Sequence, residues 1–355
     1  MPRWPASPRV PSFANRRDNA LLGIGVIGYG YWGPNLVRNF MSDTDWRVVS
    51  VCDRAESRLA GVTRLYPGVT ITTKPEDLFR NPEIDAIAIA TPVATHFELA
   101  MGALRAGKHV LVEKPIASTS QQASQMIEEA ARRKLVLLVD HTFVFTGAVR
   151  KIRDVTSQDS FGTLQYYDST RVNLGLFQHD VNVMWDLAVH DLSIMDFVIG
   201  VDPVAVSATG LSHVPGQPAN VAFMTLFFDQ PIIAHINVNW LSPVKIRRTL
   251  VGGSKQMIVY DDLETSEKVK IYDKGITVTE TPGDVRKMLI SYRTGDLWSP
   301  KVNETEALAL EVTHFRNCIE GKEKPITPGE RGLAIVRMLE AADKSMTNRG
   351  AAVEL

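Results

Sequence analysis

The sequence predicts two domains: an α/β domain built on a doubly wound parallel sheet, then an α+β domain with a large, mostly antiparallel, open sheet. Three observations predict this. A chain of 355 residues is long enough for two hydrophobic cores. Its first part alternates short apolar strands with helical stretches, which is typical of βαβ units around a sheet buried on both faces. Its second part has longer strands in which apolar and polar residues alternate. We therefore expect domains at 21–142 and 143–355.

The first 20 residues differ from the rest in composition. They contain four prolines and four arginines, and their first acidic residue is Asp18. The prolines disfavour an amphipathic targeting helix, and no apolar signal-peptide core is present. We predict that residues 1–20 are a disordered N-terminal extension outside the fold.

Composition and charge exclude several classes of function. A formal net charge of −1 gives no electrostatic basis for binding nucleic acid or an anionic membrane. No apolar run approaches the roughly 18 residues of a membrane span. Two cysteines, Cys52 and Cys318, are too few for a disulfide framework and fit a reducing compartment. We predict a cytoplasmic protein with no nucleic-acid partner, no membrane partner and no metal site.

The elements of the first domain follow from the alternation of strands and helices. A strand, a glycine-rich turn and a helix come first, and the pattern continues to residue 139. The predicted strands are Leu21–Ile27, Arg47–Cys52, Ile84–Ala90, His109–Val112 and Leu135–Val139. The predicted helices are Asn35–Met41, Thr95–Ala106 and Ser120–Lys134.

The second domain is predicted from period-two alternation and ends in two helices. The predicted strands are Leu164–Val172, Val204–Gly210, Phe223–Phe228, Ile232–Trp240, Arg248–Val251, Met257–Tyr260 and Val269–Tyr272. The closing helices are Glu304–Glu320 and Arg331–Asn348. The pattern leaves open whether these two helices pack back on the first domain.

The glycine-rich turn predicts a dinucleotide site. Gly28-Tyr29-Gly30-Tyr31-Trp32-Gly33 matches G-x-G-x-x-G between a strand and a helix, and Asp53 follows twenty residues later. Such glycines let backbone amides approach a pyrophosphate at the helix N-terminus. Asp53 would accept hydrogen bonds from the adenosine ribose, which favours NAD. The neighbouring Arg54 could hold a 2′-phosphate, so NADP stays open.

Ligands of such sheets bind beyond the carboxyl ends of the strands. These ends carry Thr91-Pro92, Glu113-Lys114 and Asp140-His141. Lys114 stands where the nicotinamide should lie, and an ammonium there can stabilise the alkoxide that develops as hydride leaves. The alternative is a surface pair between Glu113 and Lys114. His96 and His141 are further candidates, with capping or surface roles as the alternative.

A polar pair stands out in the apolar helix that begins near Val183. Asp186 and His190 are four residues apart, so both project from one helix face. An imidazole titrates near working pH and could take the proton of a hydroxyl group. The alternative is a structural pair, because buried polar groups need partners.

Several of these motifs together resemble one family. The glycine turn, Asp53, Ala90-Thr91-Pro92 with His96, and above all Ala106–Pro115 (A-G-K-H-V-L-V-E-K-P) resemble the Gfo/Idh/MocA oxidoreductases. That family includes glucose–fructose oxidoreductase and inositol dehydrogenase. The resemblance implies a Rossmann domain, and a second domain whose open sheet face joins subunits into a homodimer or homotetramer.

The resemblance also implies which residues act. The family motif Asp-x-Gly-x-His matches Asp186 to His190, with Ala188 in place of glycine. Lys114, Asp186 and His190 are then the catalytic set of an NAD(P)-dependent dehydrogenase acting on CH–OH groups. The cofactor would contact the glycine turn and the strand ends. The implied cofactor-binding residues are Gly28, Tyr29, Gly30, Tyr31, Trp32, Gly33, Asp53, Arg54, Thr91, Pro92, His96, Glu113 and Lys114.

The expected substrate is a sugar. Arg171 and Asn173 lie two residues apart on one strand face, and we expect them to contact substrate beside His141 and the catalytic residues. Within the family, the Tyr-Trp-Gly-Pro-Asn turn and the Trp-Asp-Leu-x-x-His-Asp helix resemble enzymes that oxidise C3 of a UDP-N-acetylhexosamine or its uronic acid. Such enzymes serve surface-polysaccharide or amino-sugar biosynthesis. The alternatives are a dehydrogenase or ketoreductase for a free sugar or inositol, and a dinucleotide-binding regulator without catalysis.

Overall fold

A computed structural model describes residues 21–175, 181–273, 275–279, 289–293 and 295–355. The predicted N-terminal extension lies outside these residues. The chain forms two compact units. The first unit takes the described residues up to Asp140 together with Val312–Glu330, and the second takes His141–Glu311 and Arg331–Leu355.

The first unit contains one sheet of six parallel strands in the order β3-β2-β1-β4-β5-β6. The strands are Leu22–Ile27 (β1), Trp46–Cys52 (β2), Thr70–Thr72 (β3), Ala86–Ile89 (β4), His109–Glu113 (β5) and Leu137–Asp140 (β6). The sheet is doubly wound because the order reverses between β1 and β4, where ligands of such folds bind. This confirms the parallel sheet predicted from the alternating pattern.

Five helices lie within the described residues 21–140 of the first unit, and two of them show why they start where they do. They are Gly33–Ser42 (α1), Glu56–Leu65 (α2), Pro75–Arg80 (α3), His96–Arg105 (α4) and Ser120–Arg133 (α5). Pro34 stands in the first turn of α1, where its missing N–H costs nothing. The Thr119 side chain caps α5 by accepting from the Gln122 amide at 3.2 Å.

The second unit contains a nine-stranded sheet in the order β16-β13-β12-β11-β7-β10-β9-β8-β17. These strands are Leu164–Leu174 (β7), Ala205–Leu211 (β8), Val221–Phe227 (β9), Ile233–Asn239 (β10), Leu241–Gly253 (β11), Met257–Asp261 (β12), Val269–Tyr272 (β13), Leu297–Trp298 (β16) and Val353–Glu354 (β17). Gly275–Thr279 (β14) and Leu289–Arg293 (β15) pair separately. All neighbours in the large sheet are antiparallel except β7 and β10. The predicted mostly antiparallel sheet is confirmed, with one parallel pair at its centre.

Four helices complete the chain. They are Gly147–Thr156 (α6), Val189–Ile199 (α7), Ala307–Ile319 (α8) and Gly329–Thr347 (α9). Part of this late segment completes the first unit, since Phe315 stacks on Trp46 with ring centroids 5.7 Å apart. The Val139 amide also donates to the Thr327 carbonyl oxygen at 2.9 Å.

The sequence prediction missed α2, β3 and α3, which lie between residues 56 and 80, and also α6, β14, β15, β16 and β17. For two of these elements the reason is physical: β3 has three residues, none of them buried, and α3 buries only Leu78. Short elements with little buried surface carry no clear periodicity. The predicted ends of most of the longer elements agree with the structure to within a few residues, but β11 begins at Leu241, seven residues before the predicted Arg248.

Candidate functional site

The glycine-rich turn has the backbone that a dinucleotide requires. Gly28 has φ of +98°, and a Cβ there would lie 2.4 Å from the Ala90 carbonyl oxygen. A Cβ on Gly33 would lie 2.0 Å from the Gly28 carbonyl oxygen. Gly30 is different, because the nearest atom to a Cβ there is Arg58 Nη1 at 3.6 Å. The turn is therefore closed on the protein side and open at Gly30, beside the N-terminus of α1, as a bound pyrophosphate requires.

Asp53 fixes this turn from the end of β2. Its carboxylate accepts from the Tyr29 amide at 2.7 Å and from the Ala55 amide at 2.8 Å. Arg58 Nη1 lies 3.5 Å from the same carboxylate. Arg58 is therefore a cation beside Asp53, and the sequence prediction, which named Arg54, missed it. The one feature of the sequence that pointed to Arg58 was its place in the first turn of the helix after Asp53.

The strand ends of β5 and β6 bring an acid pair next to Lys114. Glu113 and Asp140 are register partners on adjacent strands, so their side chains lie on the same face of the sheet. The Lys114 amide donates to Glu113 Oε2 at 2.9 Å, and Lys114 itself is half-buried. Trp32 Nε1, from the glycine turn, donates to Asp140 Oδ2 at 2.7 Å. Burial and the charge of Asp140 raise the pKa of Glu113 well above its ordinary value.

His96 supports the strand-end loops through backbone atoms. Its Nδ1 lies 2.8 Å from the Pro115 carbonyl oxygen, and its Nε2 lies 2.8 Å from that of Thr91. Burial lowers the pKa of this imidazole. This corrects the expectation of a direct cofactor contact, because both ring nitrogens are occupied by backbone oxygens. Among the other predicted contacts, Tyr31 and Pro92 are exposed and Thr91 is half-exposed.

In the second unit, Asp186 lies in a π-helical turn, Met184–Ala188, that leads into α7. Such turns are rare and occur often at functional sites. Asn182 Oδ1 accepts from the Met184 amide at 2.9 Å, which caps the turn. Trp240 Nε1 donates to Asp186 Oδ2 at 3.0 Å and so holds the carboxylate from β10's C-terminal end. Asp186 stays half-exposed.

Asp343 on α9 also holds the π-helical turn Met184–Ala188 in place. Its two carboxylate oxygens accept from Asn182 Nδ2 at 2.7 Å and from Trp185 Nε1 at 2.8 Å. Burial raises the pKa of Asp343, while these two donors act in the opposite direction. Neither Asp343 nor Trp240 was predicted, because nothing in the local sequence links them to residues more than fifty positions away.

His190 packs against an aromatic and cationic stack. Its ring meets the Phe143 ring edge-on, with the two centroids 5.0 Å apart. The Arg171 guanidinium carbon lies 4.6 Å from the centroid of the same Phe143 ring. Ser193 Oγ donates to the His190 carbonyl oxygen at 2.7 Å. His190 is half-exposed, so its ring is supported on one side and accessible on another.

Arg171 is not placed as a substrate contact would be. It is only 3% exposed, and its Nε donates to Asp191 Oδ2 at 2.6 Å. This corrects the prediction: a cation on the buried face of a strand is stable only with a counter-charge, and Asp191 supplies it. Asn173 follows on the same strand and is half-buried, and His141 is buried.

Within the residues that the structure describes, no helix is long and apolar enough to cross a membrane. No group of three or more His, Cys, Asp or Glu side chains in these ranges is arranged to hold a metal ion. Cys52 and Cys318 are both buried free thiols, and burial raises the pKa of each to about 12.

Comparisons with known proteins identify both halves of the chain. Residues 22–141 match the model of the Gfo/Idh/MocA oxidoreductase family for its NAD-binding Rossmann fold. Residues 178–355 match the model for the C-terminal alpha/beta domain of the same family. These matches confirm the predicted family resemblance, the fold class and NAD as cofactor. They also confirm the predicted enzyme class, a nicotinamide-dependent dehydrogenase.

Three similar proteins show the range of the relatives. The UDP-N-acetylglucosamine 3-dehydrogenase of Acidithiobacillus ferrooxidans is 28% identical, over 92% of this chain and 98% of its own. The 1,5-anhydro-D-fructose reductase of Ensifer adhaerens is 30% identical, over 93% and 98%. The solved structure of GenD2, from gentamicin A biosynthesis in complex with NAD, is 21% identical, with a TM-score of 0.78 over 99% of both chains.

Proposed function

The chain belongs to the Gfo/Idh/MocA oxidoreductase family, and on that premise we propose that it oxidises a secondary hydroxyl group of a sugar with NAD⁺. We propose C3 of a nucleotide-linked N-acetylhexosamine, or of its uronic acid, as the reacting position. The matching step would lie in surface-polysaccharide or amino-sugar biosynthesis, in the cytoplasm. The observation that carries the proposal is Lys114 at the carboxyl end of β5, in the same sheet as a turn shaped for NAD.

The chain's own residues have distinct roles in this proposal. The turn from Gly28 to Gly33 and Asp53 would hold the dinucleotide, which accepts hydride at the nicotinamide when bound. The Lys114 ammonium would donate to the reacting oxygen and stabilise its developing negative charge. His190 would take the hydroxyl proton, since an imidazole can act as a general base near neutral pH.

Asp186 would orient the substrate or His190. The indole of Trp240 supports this role, because a carboxylate that accepts from a fixed donor at 3.0 Å has little freedom to turn away. The half-exposed side chains of Asp186 and His190 are accessible to a ligand. His141 and Asn173 stay in the proposed substrate set, and Arg171 acts through Phe143 and Asp191.

Relatives support the nucleotide-sugar substrate without deciding it. The relative that oxidises UDP-N-acetylglucosamine covers nearly the whole chain, but a reductase of a free anhydrosugar is as similar. A free sugar or inositol is therefore the second candidate substrate. A dinucleotide-binding regulator is the third candidate function, and it has no use for Lys114, Asp186 and His190 together.

A substrate panel separates these candidates. Purified protein with NAD⁺ should produce NADH with UDP-N-acetylhexosamines or their uronic acids and much more slowly with free sugars or inositol. Lys114→Ala and His190→Ala should each lower kcat at least about 100-fold, the lower range for a general acid or base. Lys151→Ala, a surface lysine on α6, is the matched control. Wild-type turnover by both catalytic variants would refute the assigned roles.

We also propose a homodimer or homotetramer through the open face of the second unit's sheet. Phe223, Phe227 and Ile233 are each more than a third exposed on that face. Apolar side chains in a contiguous patch favour a partner surface. Light scattering on the wild type and on Phe223→Lys should show an assembly and its dissociation. A monomeric wild type would exclude the proposal.

A further inference from the structure

Glu113 and Asp140 form a carboxyl pair at the carboxyl ends of β5 and β6. They are register partners on adjacent strands, and Asp140 is 1% exposed. Register partners on adjacent strands direct their side chains to the same face of the sheet, so these two carboxyl groups lie side by side. Two ionised carboxylates in that position would repel each other, and burial away from water strengthens the repulsion. The arrangement therefore favours a state in which one of the two groups is protonated.

We propose that Glu113 and Asp140 share one proton and position Lys114 for catalysis, with Trp32 joining the pair to the cofactor-binding turn. This inference deepens the proposed dehydrogenase function and rests on it for the catalytic role of Lys114. Glu113 and Asp140 are positioning residues: they act through Lys114 and through the turn.

The hydrogen bonds of the pair fix two neighbouring segments. Glu113 Oε2 accepts from the Lys114 amide at 2.9 Å, so the carboxyl group holds the backbone that carries the lysine. Asp140 Oδ2 accepts from Trp32 Nε1 at 2.7 Å. An indole donates and never accepts, so it keeps this oxygen of Asp140 as an acceptor.

The shared proton also sets the local charge. With it, the two carboxyl groups and the Lys114 ammonium together are neutral, and without it they carry −1. The Lys114 charge lowers the pKa of Glu113, which places the ammonium within electrostatic range of the pair. A second ionisation would bind the ammonium more strongly to the pair and away from a substrate oxygen. It would also favour the cationic NAD⁺ over NADH.

The charged neighbours define the direction of the pH effect. Asp140 on β6 and burial raise the pKa of Glu113, and Lys114 after β5 opposes them. Trp32 from the turn before α1 is uncharged, and burial together with the Lys114 charge lowers the pKa of His96 on α4. The folded chain holds the Glu113 proton more tightly than the unfolded chain does. The contribution of this proton to the stability of the fold is therefore complete below pH 4.5. It is lost as the pH rises through the raised pKa.

Infrared difference spectroscopy of the full-length protein tests the proton directly. The wild type at pH 7 should show the C=O stretch of a protonated carboxyl group, and the band should be absent from Asp140→Asn, where Glu113 can ionise against an amide. Asp85→Asn is the matched control, because Asp85 is a buried carboxylate of the same unit that accepts from the Gly23 amide at 2.9 Å. The control should keep the band. Absence of the band from the wild type would overturn the proposal, even if Asp140→Asn fails to fold.

Cofactor affinity tests the consequence without any sugar. The ratio of the NADH Kd to the NAD⁺ Kd should rise about tenfold between pH 6 and pH 10 in the wild type, as expected for one added charge near the nicotinamide. In Asp140→Asn the ratio should stay flat, and in Asp85→Asn it should follow the wild type. A wild-type ratio independent of pH, with the infrared band present, would refute the positioning role. If no sugar is oxidised but both signals appear, the proposed function fails and the shared proton stands.

Discussion

Replacing Asp191 by asparagine should destabilise the second unit far more than replacing both Asp191 and Arg171. The pair is buried, with Arg171 Nε 2.6 Å from Oδ2 and Nη2 3.3 Å from Oδ1 of the aspartate. Oδ1 also accepts from Ser169 Oγ at 2.6 Å. The neutral amide removes the counter-charge and leaves a guanidinium whose Nη1 already has no acceptor among the described residues. Breaking such a pair costs about 3–5 kcal/mol.

The size of this loss makes it measurable by calorimetry. For a unit of this size each kcal/mol lowers the melting temperature by about 2–4 °C, so Asp191→Asn should lower it by about 6–20 °C. The double variant Arg171→Met/Asp191→Leu removes both charges and should recover most of the loss, because no buried charge is left unpaired. Asp154→Asn, in an exposed pair with Lys151 on α6, should cost no more than about 1 kcal/mol.

Two outcomes would refute this reasoning. If Asp191→Asn is no more costly than Asp154→Asn, the pair is not a buried ion pair in solution. If the double variant recovers stability but its substrate KM rises tenfold or more, Arg171 contacts substrate and does not serve only as the partner of Asp191. Steady-state kinetics on the same samples distinguishes the two.

Three further predictions follow from single side chains. Burial lowers the pKa of His109 to about 4, and its Nδ1 accepts from the Val136 amide at 3.0 Å. Its contribution of about 3 kcal/mol is complete above pH 6.5 and is lost as the pH falls towards 4, so urea unfolding of His109→Gln should show a smaller loss over that range. Asp53→Ala should raise the NAD Kd at least about tenfold by fluorescence titration and reduce the preference over NADP, since the ribose acceptor is removed. Asp343→Asn should lower kcat about tenfold with little change in KM, because Trp185 and its turn lose a charged acceptor; an unchanged kcat would contradict this.

The sequence predicted the cofactor turn well because glycine is required there by backbone geometry. Gly28 has a positive φ and Gly33 has no space for a Cβ, so both constraints are local and leave a mark on the sequence. The parallel sheet was predictable for a related reason. Strands buried on both faces read as continuous apolar runs wherever they occur.

The four-residue spacing of Asp186 and His190 was a weaker guide. It assumed a regular α-helix, whereas Asp186 lies in a π-helical turn and only His190 lies in α7. This π-helical turn is held by a tertiary partner, Asp343, and intrinsic propensities do not encode such a partner. Arg171 was misread for the same reason. Period two places it on a strand face, but only the fold shows that this face is buried and meets Asp191.

Three tryptophans share one role in this chain, and it explains how acidic groups are held in apolar surroundings. Each donates its indole N–H to a carboxylate within its own unit. The pairs are Trp32 with Asp140, Trp185 with Asp343, and Trp240 with Asp186. A hydrogen bond to a charged group contributes about 1.5–3 kcal/mol, enough to restrict a side chain to one orientation. An indole adds no charge, so it orients an acid without neutralising it. The acids therefore stay available for proton and ligand chemistry while their geometry is fixed by large, well-packed rings.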